Sequence, residues 1–271
     1  MLANRLKKIL PHLVSKQQSA FVKDRLILDK IMVAFVTLHY MRNHNSGETG
    51  YMALKLDINK AYDRVELVYM EKLMKKMGLV DTWVNLMMQC ISKATYSVLI
   101  HGEPRGQITP SRGLCQRDPL SPYLFLLCME GFHGLLRKVK ENGDIRGVSI
   151  CRSAPKLTHL LFADDNLIFC RAKINECEKL EILATYEQAS GQQINRDKTT
   201  LFFSKSTSPQ MQESIQAALG VPVVKQYEKY LGCQASLGGK RRRALTILSK
   251  ESGKSLKDGK ASFCHKRGEK F

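Results

Sequence analysis

Asp57 closes the alternating stretch "YMALKLDI" (51–58), and Asp164 and Asp165 stand side by side in the apolar stretch "HLLFADDNLIF" (159–169). An isolated buried charge is costly, and adjacent like charges repel one another. One account is a β-hairpin whose turn, 163–166, tolerates Asp and Asn. The other is a divalent cation that neutralises the pair. Phosphoryl transfer with two divalent ions uses carboxylates that bridge metals about 3.5–4 Å apart. Mg2+ prefers oxygen ligands, and a nucleotide's phosphates can complete its shell. In the first stretch Met52, Leu54 and Leu56 face one way and Lys55 and Asp57 the other, so a strand delivers Asp57 to its polar face. On this spacing alone, Asp57 as a helix cap stays open beside Asp57 as a metal ligand.

The elements that must position these acids follow from periodicity and punctuation. "LANRLKKILPHL" and "RLILDKIMVAFVTLHYMRNH" carry helical spacing, the second through Ile27, Ile31, Phe35 and Leu38. "NHNSGETG" (43–50) reads as a polar loop. A helix is expected over 63–77 with Gly78 as its stop, and another opens at Asp81. "TYSVLIHGE" reads as a strand with a turn. Ser121 as N-cap and Pro122 at the first helical position open a helix that stops near Gly143. After the acidic hairpin, a helix over 175–190 is capped by Asn175 and closed by Gly191, "TTLFFS" is a short strand, and "SPQMQESIQAALG" repeats the Ser-Pro opening and Gly exit. Helices mixed with antiparallel hairpins make the class α+β.

Composition sets outer bounds. A chain of 271 residues, 44% hydrophobic, can bury a core in one large domain or two modest ones. The longest uncharged apolar segment, 119–129, is far too short for a bilayer, and the basic N-terminus lacks the pattern of a signal peptide. The eight cysteines include no C-x-x-C pair and lie mostly in apolar runs, which points to reduced thiols and an intracellular protein, nucleus and cytoplasm not being distinguished. The net charge of +18 favours polyanionic partners through counterion release. Residues 240–271 hold 11 Lys/Arg against 3 Asp/Glu, have little apolar periodicity, and read as a basic, disordered tail.

"SRGLCQRDPLSPYLF" (111–125), taken with "LKLDINKAYDRVE" and "LFADDNLIF", resembles the reverse transcriptase domain of LINE-type (non-LTR) retrotransposons, with plant elements as the nearest likeness. "QSAFVKDRLILD", "YEQASGQQINRDKT" and "KYLG" occur in the family's order, and the resemblance runs from residue 1 to about 245. It implies a polymerase palm with an antiparallel sheet and packed helices over 51–239, preceded by partial helical fingers over 1–50. It implies that Asp57 and Asp164 hold two Mg2+ ions, with Mn2+ as a substitute, and that Asp165 supports them. Tyr62 matches the aromatic gate that excludes a ribose 2′-hydroxyl, with an ordinary core aromatic as the alternative. Gly113 and Gln116 match the loop that contacts incoming nucleotide and template. Lys198 matches a lysine that protonates departing pyrophosphate, with a solvated surface lysine as the alternative; Arg25 and Gln18 fall where template contact is implied, with polar residues on a helix surface as the alternative; and Ser121 and Pro122 start the helix behind the loop. The implied partners are an RNA template, a DNA primer and deoxynucleoside triphosphates, with no membrane.

Three departures from the family pattern matter. Arg117 stands where the family motif Gly-Leu-Arg-Gln-Gly-Asp-Pro has its second glycine, a residue type used where the backbone needs positive φ or close ligand approach. A bulky cation there either blocks the nucleotide or distorts Gln116, or else points outward toward phosphate; damage is the expectation taken. The family's Arg-rich segment that helps hold the triphosphate precedes "MLANRLKK" in relatives, so the resemblance implies a domain truncated at its start. Likeness also fades after "KYLG", where the thumb should begin, and the tail reads as frame-shifted sequence. Two functions therefore stay open: an RNA-directed DNA polymerase domain, or a catalytically inactive remnant that binds nucleic acid.

Overall fold

The computed structural model describes residues 1–44, 50–151, 154–225, 229–230 and 233–234. Helices α1 (Leu2–Leu13) and α2 (Ile27–Asn43) precede β1 (Tyr51–Leu56) and the short β2 (Ile58–Asn59). Helices α3 (Leu67–Lys76) and α4 (Asp81–Ser92) lead to a hairpin of β3 (Tyr96–Ile100) and β4 (Glu103–Ile108), then to the long α5 (Ser121–Glu141). The chain continues through β5 (His159–Phe162), β6 (Asp165–Arg171), α6 (Ile174–Glu178), α7 (Ile182–Ser190), β7 (Gln193–Ile194), β8 (Thr200–Phe203) and α8 (Pro209–Leu219). Short strands β9 (Lys229–Tyr230) and β10 (Cys233–Gln234) pair with each other. Most of the polar loop read over 43–50, and all of the basic tail, lie outside the described residues.

The central antiparallel sheet has the order β5-β6-β1-β8. Strand β1 runs between β6 and β8, and alternate side chains go to opposite faces. Met52, Leu54 and Leu56 join the core built around Leu124, Phe125 and Phe132 of α5, which also takes Leu6 and Leu10 of α1. Ala53, Leu167, Phe169 and Phe202 face the second core, where α2 lays Ile31, Val33 and Phe35 against the sheet. The sheet is thus covered on both faces except at the end of β1, where Lys55 and Asp57 remain partly exposed.

Several boundaries differ from the sequence expectation for local reasons. Residues 63–66 form a turn before α3 rather than its first turn. Ser121 is a buried helical residue, and the cap position of α5 falls one residue earlier on Leu120, whose N–H donates to Asp118 Oδ1 at 2.6 Å. The helix expected over 175–190 is broken into α6, a 3-10 turn at Lys179–Glu181, and α7. Glu176 explains the break: its buried carboxylate accepts the backbone N–H groups of Arg146 (2.9 Å) and Arg171 (3.0 Å), which ties α6 to the neighbouring strand end. The glycine stops hold, with Gly191 and Gly220 in the left-handed conformation at the ends of α7 and α8.

The described cysteines are free thiols, of which Cys128, Cys170 and Cys177 are buried and Cys90 is exposed. Among the described residues no helix is long and apolar enough to cross a membrane. The β3–β4 hairpin turns at His101 and Gly102, both with positive φ, and its strands are exposed along their length, Leu99 by 70%.

Between α1 and α5, the Ser15 hydroxyl donates to Glu130 Oε1 at 2.9 Å. Burial pushes the Glu130 carboxyl up to about 7, against the opposing pull of Ser15, Arg25 and Arg137. A folded pKa above the unfolded value of about 4.5 means the native state holds an extra proton between those two pH values. The Glu130 contribution is therefore fully present below about pH 4.5 and is lost as pH rises through 7, by on the order of 3 kcal/mol. Glu130→Gln keeps an acceptor for Ser15 without a charge to bury. Urea denaturation is expected to show it more stable than wild type at pH 8, with the difference shrinking toward pH 5. The buried pair His133–His159, joined at 2.9 Å, works in the opposite sense: burial lowers His133 to about 4, so its contribution is present above pH 6.5 and lost on acidification toward 4.

Candidate active site

Strands β1 and β6 pair with Leu56 opposite Asn166, so one step further along the ladder Asp57 comes beside Asp165. The β5–β6 hairpin closes with Phe162 opposite Asp165, leaving Ala163 and Asp164 as a two-residue turn. This is tighter than the 163–166 turn read from sequence. Ala163 has φ +50°, a left-handed conformation suited to such a turn. Asp164 is exposed at the tip; Asp57 and Asp165 are half-buried.

Electrostatics place the three acids within reach of one another. Partial burial raises the Asp165 carboxyl, Lys55 at 3.9 Å pulls it back down, and the charges of Asp164 and Asp57 push it up again. Burial also raises the Tyr62 phenol, and the Asp164 charge adds to that rise, so Tyr62 stands beside the acidic cluster. Its ring stacks on Phe125 at 4.6 Å and 18°. Tyr62 thus packs on a core ring and borders the acids.

The backbone of Asp57 is fixed from the far side. Its N–H donates to the Thr199 hydroxyl at 3.2 Å, and its carbonyl accepts the Asn195 N–H at 2.8 Å. Lys198 lies in that same turn, its own N–H bonded to Asn195 Oδ1 at 3.2 Å and its side chain exposed. Asn195, Thr199 and Lys55 were not singled out from sequence. Lys55 was the most accessible of them, because it shares the polar face of β1 with Asp57; the other two are joined to Asp57 across more than a hundred residues, which no local pattern reveals.

Among the described residues, no three His, Cys, Asp or Glu side chains come together as a ready-made metal cage. The donor set nonetheless suits hard divalent ions. The acids at the strand ends offer only oxygen, and Mg2+ sites in nucleotide enzymes characteristically take one or two carboxylates and complete their shell with water and substrate phosphate. Asp165 is drawn toward Lys55, while Asp57 is half-buried and Asp164 is exposed at the tip.

Residues 112–116 line a cleft of about 480 Å3 together with Asp63, the residue after Tyr62. The Gly113 N–H donates to the Val65 carbonyl and the Leu114 N–H to the Tyr62 carbonyl, each at 2.8 Å. Gly113 has φ +93°, and a Cβ there would lie 2.6 Å from the Asp63 carbonyl oxygen, so only glycine fits. Gln116 Nε2 reaches Asp63 Oδ1 at 3.4 Å. Arg25 and Gln18 are committed inward. The Arg25 guanidinium donates to the carbonyls of Ser15 and Gln18, and to those of Val14 (3.1 Å) and Pro11 (3.5 Å). Gln18 is fully buried beside the acidic turn.

A family model described as reverse transcriptase (RNA-dependent DNA polymerase) matches residues 1–235. The chain belongs to the reverse transcriptase family. Its relatives include an uncharacterized mitochondrial protein of Arabidopsis thaliana, 54% identical over 67 residues, a match that covers 25% of this chain and 55% of that one. The Pol polyprotein of the type-1 retrotransposable element R2 of Popillia japonica is 28% identical over 160 residues, covering 59% of this chain and 25% of that protein. A 149 kDa protein of transposon TX1 of Xenopus laevis is 27% identical over 198 residues, covering 72% and 14%. The chain thus spans about half the plant relative and a quarter or less of these retrotransposon proteins. Among solved structures, apo telomerase from Candida tropicalis shares the fold, with a TM-score of 0.53 and 16% identity over 76% of this chain and 41% of that one.

Against the reverse transcriptase pattern, the substitution at residue 117 has a visible cost. Arg117 has φ +72°, in the region where glycine is at ease and a side chain is strained by about 1 kcal/mol or more. Its side chain is exposed. Arg117→Gly removes that strain but adds freedom to the unfolded chain, so a net gain of about 0.5–1 kcal/mol is expected. Calorimetry should show the melting midpoint rising by about 2 °C; an unchanged or lower midpoint would contradict the strain.

Proposed function

We propose that this chain is the core of an RNA-directed DNA polymerase, in which a primer 3′-hydroxyl displaces pyrophosphate from a deoxynucleoside triphosphate on an RNA template. The observation that carries the reading is the β1–β6 register, which brings Asp57 beside the Asp164-Asp165 hairpin tip within a chain of reverse transcriptase lineage. Residues 51–239 act as the palm, residues 1–50 as part of the fingers, and 240–271 as a basic extension.

In this assignment Asp57 and Asp164 hold two Mg2+ ions, and Asp165 tempers the charge of the cluster through Lys55. When bound, such ions stabilise the attacking and leaving oxygens of an in-line displacement. Tyr62 forms the wall beside the sugar and discriminates against a 2′-hydroxyl. Gly113 and Gln116 line the nucleotide and template side of the cleft, Gly113 held through its backbone by Val65 and Gln116 through its side chain by Asp63. Lys198, on the turn that grips the Asp57 backbone, donates a proton to departing pyrophosphate. Arg25 supports template binding by holding the 11–18 segment in place. The net charge of +18 supports a nucleic-acid partner.

The strained Arg117 favours one second reading, a remnant that grips nucleic acid without turning over. Primer extension on an RNA template with dNTPs and Mg2+, beside the Asp164→Asn/Asp165→Asn double variant, separates the two. Extension that disappears in the double variant establishes the polymerase. No extension by either protein, with salt-sensitive RNA binding retained, establishes the remnant.

A further inference from the structure

Two main-chain groups flank the carboxylate-bearing tip at Asp164: the N–H of Ala163 before it and the carbonyl of Asp164 itself. Each is held by a buried side-chain amide. Gln18 Oε1 accepts the Ala163 N–H at 3.2 Å, and Asn166 Nδ2 donates to the Asp164 carbonyl at 3.1 Å. Both amides are 0% exposed. The same Gln18 oxygen accepts the N–H groups of Ser19 and Ala20, each at 3.0 Å. Three donors converging on one atom fix it as the oxygen and set the orientation of the amide.

The two amides belong to one row of the sheet. Gln18 bridges Leu161 at the outer edge of β5, and Leu161 lies opposite Asn166. Side chains in such a row share a face, so Gln18 and Asn166 flank Leu161 on the buried side while Asp164 projects from the tip. Gln18 is itself held: the Leu161 N–H donates to the Gln17 carbonyl at 3.2 Å, and Arg25 clamps the carbonyls of Ser15 and Gln18.

From this arrangement we infer that Gln18 and Asn166 are positioning residues for the Asp164 carboxylate, holding the Ala163-Asp164 turn in the one conformation that presents it at the hairpin tip, next to the Asp165 that lies beside Asp57. The inference rests on the metal-binding role proposed for Asp57 and Asp164. Ala163 is the physical reason a clamp is needed. A non-glycine residue at φ +50° is strained relative to ordinary conformations and persists only where its surroundings hold it. A hydrogen bond to its buried N–H offsets that strain. Without the Gln18 acceptor, the Ala163 N–H is left unpaired in the core, the turn relaxes, and the Asp164 carboxylate moves off its ion. The Gln18 contact crosses 145 residues, from the loop after α1 to the hairpin tip.

The test is Mn2+ binding to the full 271-residue chain, read as loss of the free-ion signal in electron paramagnetic resonance, with melting curves alongside. Wild type is expected to bind Mn2+, and Asp57→Asn/Asp164→Asn to lose it; wild type that binds none overturns the metal-site reading and the inference with it. Given wild-type binding, Gln18→Met, close in shape but without an acceptor, is expected to weaken Mn2+ affinity about 10–100-fold, the usual cost of losing an outer support of a metal ligand. Gln18→Glu keeps an acceptor in its neutral acid form, which burial favours, and is expected to restore affinity to within about twofold. A folded Gln18→Met that binds as wild type does overturns the positioning role while leaving the metal site standing. Should Gln18→Met fail to fold, Gln18→Glu decides: near-normal affinity supports the acceptor role, and a tenfold loss refutes it.

Discussion

Asp57→Asn is expected to lower Mg2+-dependent primer extension by about a thousandfold or more while leaving the melting temperature nearly unchanged. Charge stabilisation by a correctly held ion contributes several kcal/mol at the transition state, and about 1.4 kcal/mol is a factor of ten in rate. Asparagine preserves the two bonds that anchor this position, because both use the backbone: N–H to Thr199 and carbonyl from Asn195. Asp165→Asn should behave differently. Its carboxyl is raised by burial and by the neighbouring acids, and its charge is met by Lys55 at 3.9 Å. Neutralising it relieves repulsion, so stability should hold or rise while extension falls only about tenfold. Parallel rate and melting measurements on the two variants check the contrast. Equal rate losses would remove the distinction drawn between Asp57 and Asp165.

Gly113→Ala is expected to destabilise the fold by about 2–4 kcal/mol, from positive-φ strain together with a collision that must be relieved by backbone movement. The added methyl would sit 2.6 Å from the Asp63 carbonyl oxygen and 2.9 Å from its carbon, both main-chain atoms that cannot rotate away. Relief would have to stretch the bonds from Gly113 to Val65 and from Leu114 to Tyr62. For a chain of this size the melting midpoint should fall by roughly 5–10 °C. The same displacement moves Tyr62 relative to Asp164, so any nucleotide discrimination should weaken along with stability. A variant that melts as wild type does would show that the 63–66 turn yields more easily than its packing implies.

How far the fold could be read from the sequence depended on how local its causes are. The alternation in "YMALKL" was sufficient to place Asp57 on the polar face of a strand, and glycines at 78, 143, 191 and 220 marked helix ends that the backbone confirms with positive φ. Of the two uses of glycine left open at 117, positive φ or close ligand approach, the backbone shows the first. What escaped were arrangements set by distant partners. The cap position of α5 falls on Leu120, whose N–H is held by Asp118, and buried Glu176 ties α6 to the neighbouring strand end where one helix was expected over 175–190. Gln18 and Arg25 looked like polar residues on a helical segment that could face a template. Both are instead bound to main-chain groups, Gln18 to one 145 residues away. The acidic site was legible as a set of residue types in family order. Its supports were not, because a buried amide that receives a backbone N–H leaves no periodic mark.

Strand order also governs how this site comes into being during synthesis. Asp57 leaves the ribosome at the end of β1, yet β1 lies between β6 and β8, whose residues follow by more than a hundred positions. At ordinary translation rates of about 5–20 residues per second, β1 waits roughly 5–20 s for β6 and longer for β8. Throughout that interval both edges of β1 are open ladders able to pair with the wrong strand. A nascent chain halted before residue 195 lacks the turn that fixes Asp57. The acidic centre is therefore among the last features to form, and ribosome-bound chains arrested at successive lengths should gain protease resistance around β1 only once β8 has emerged.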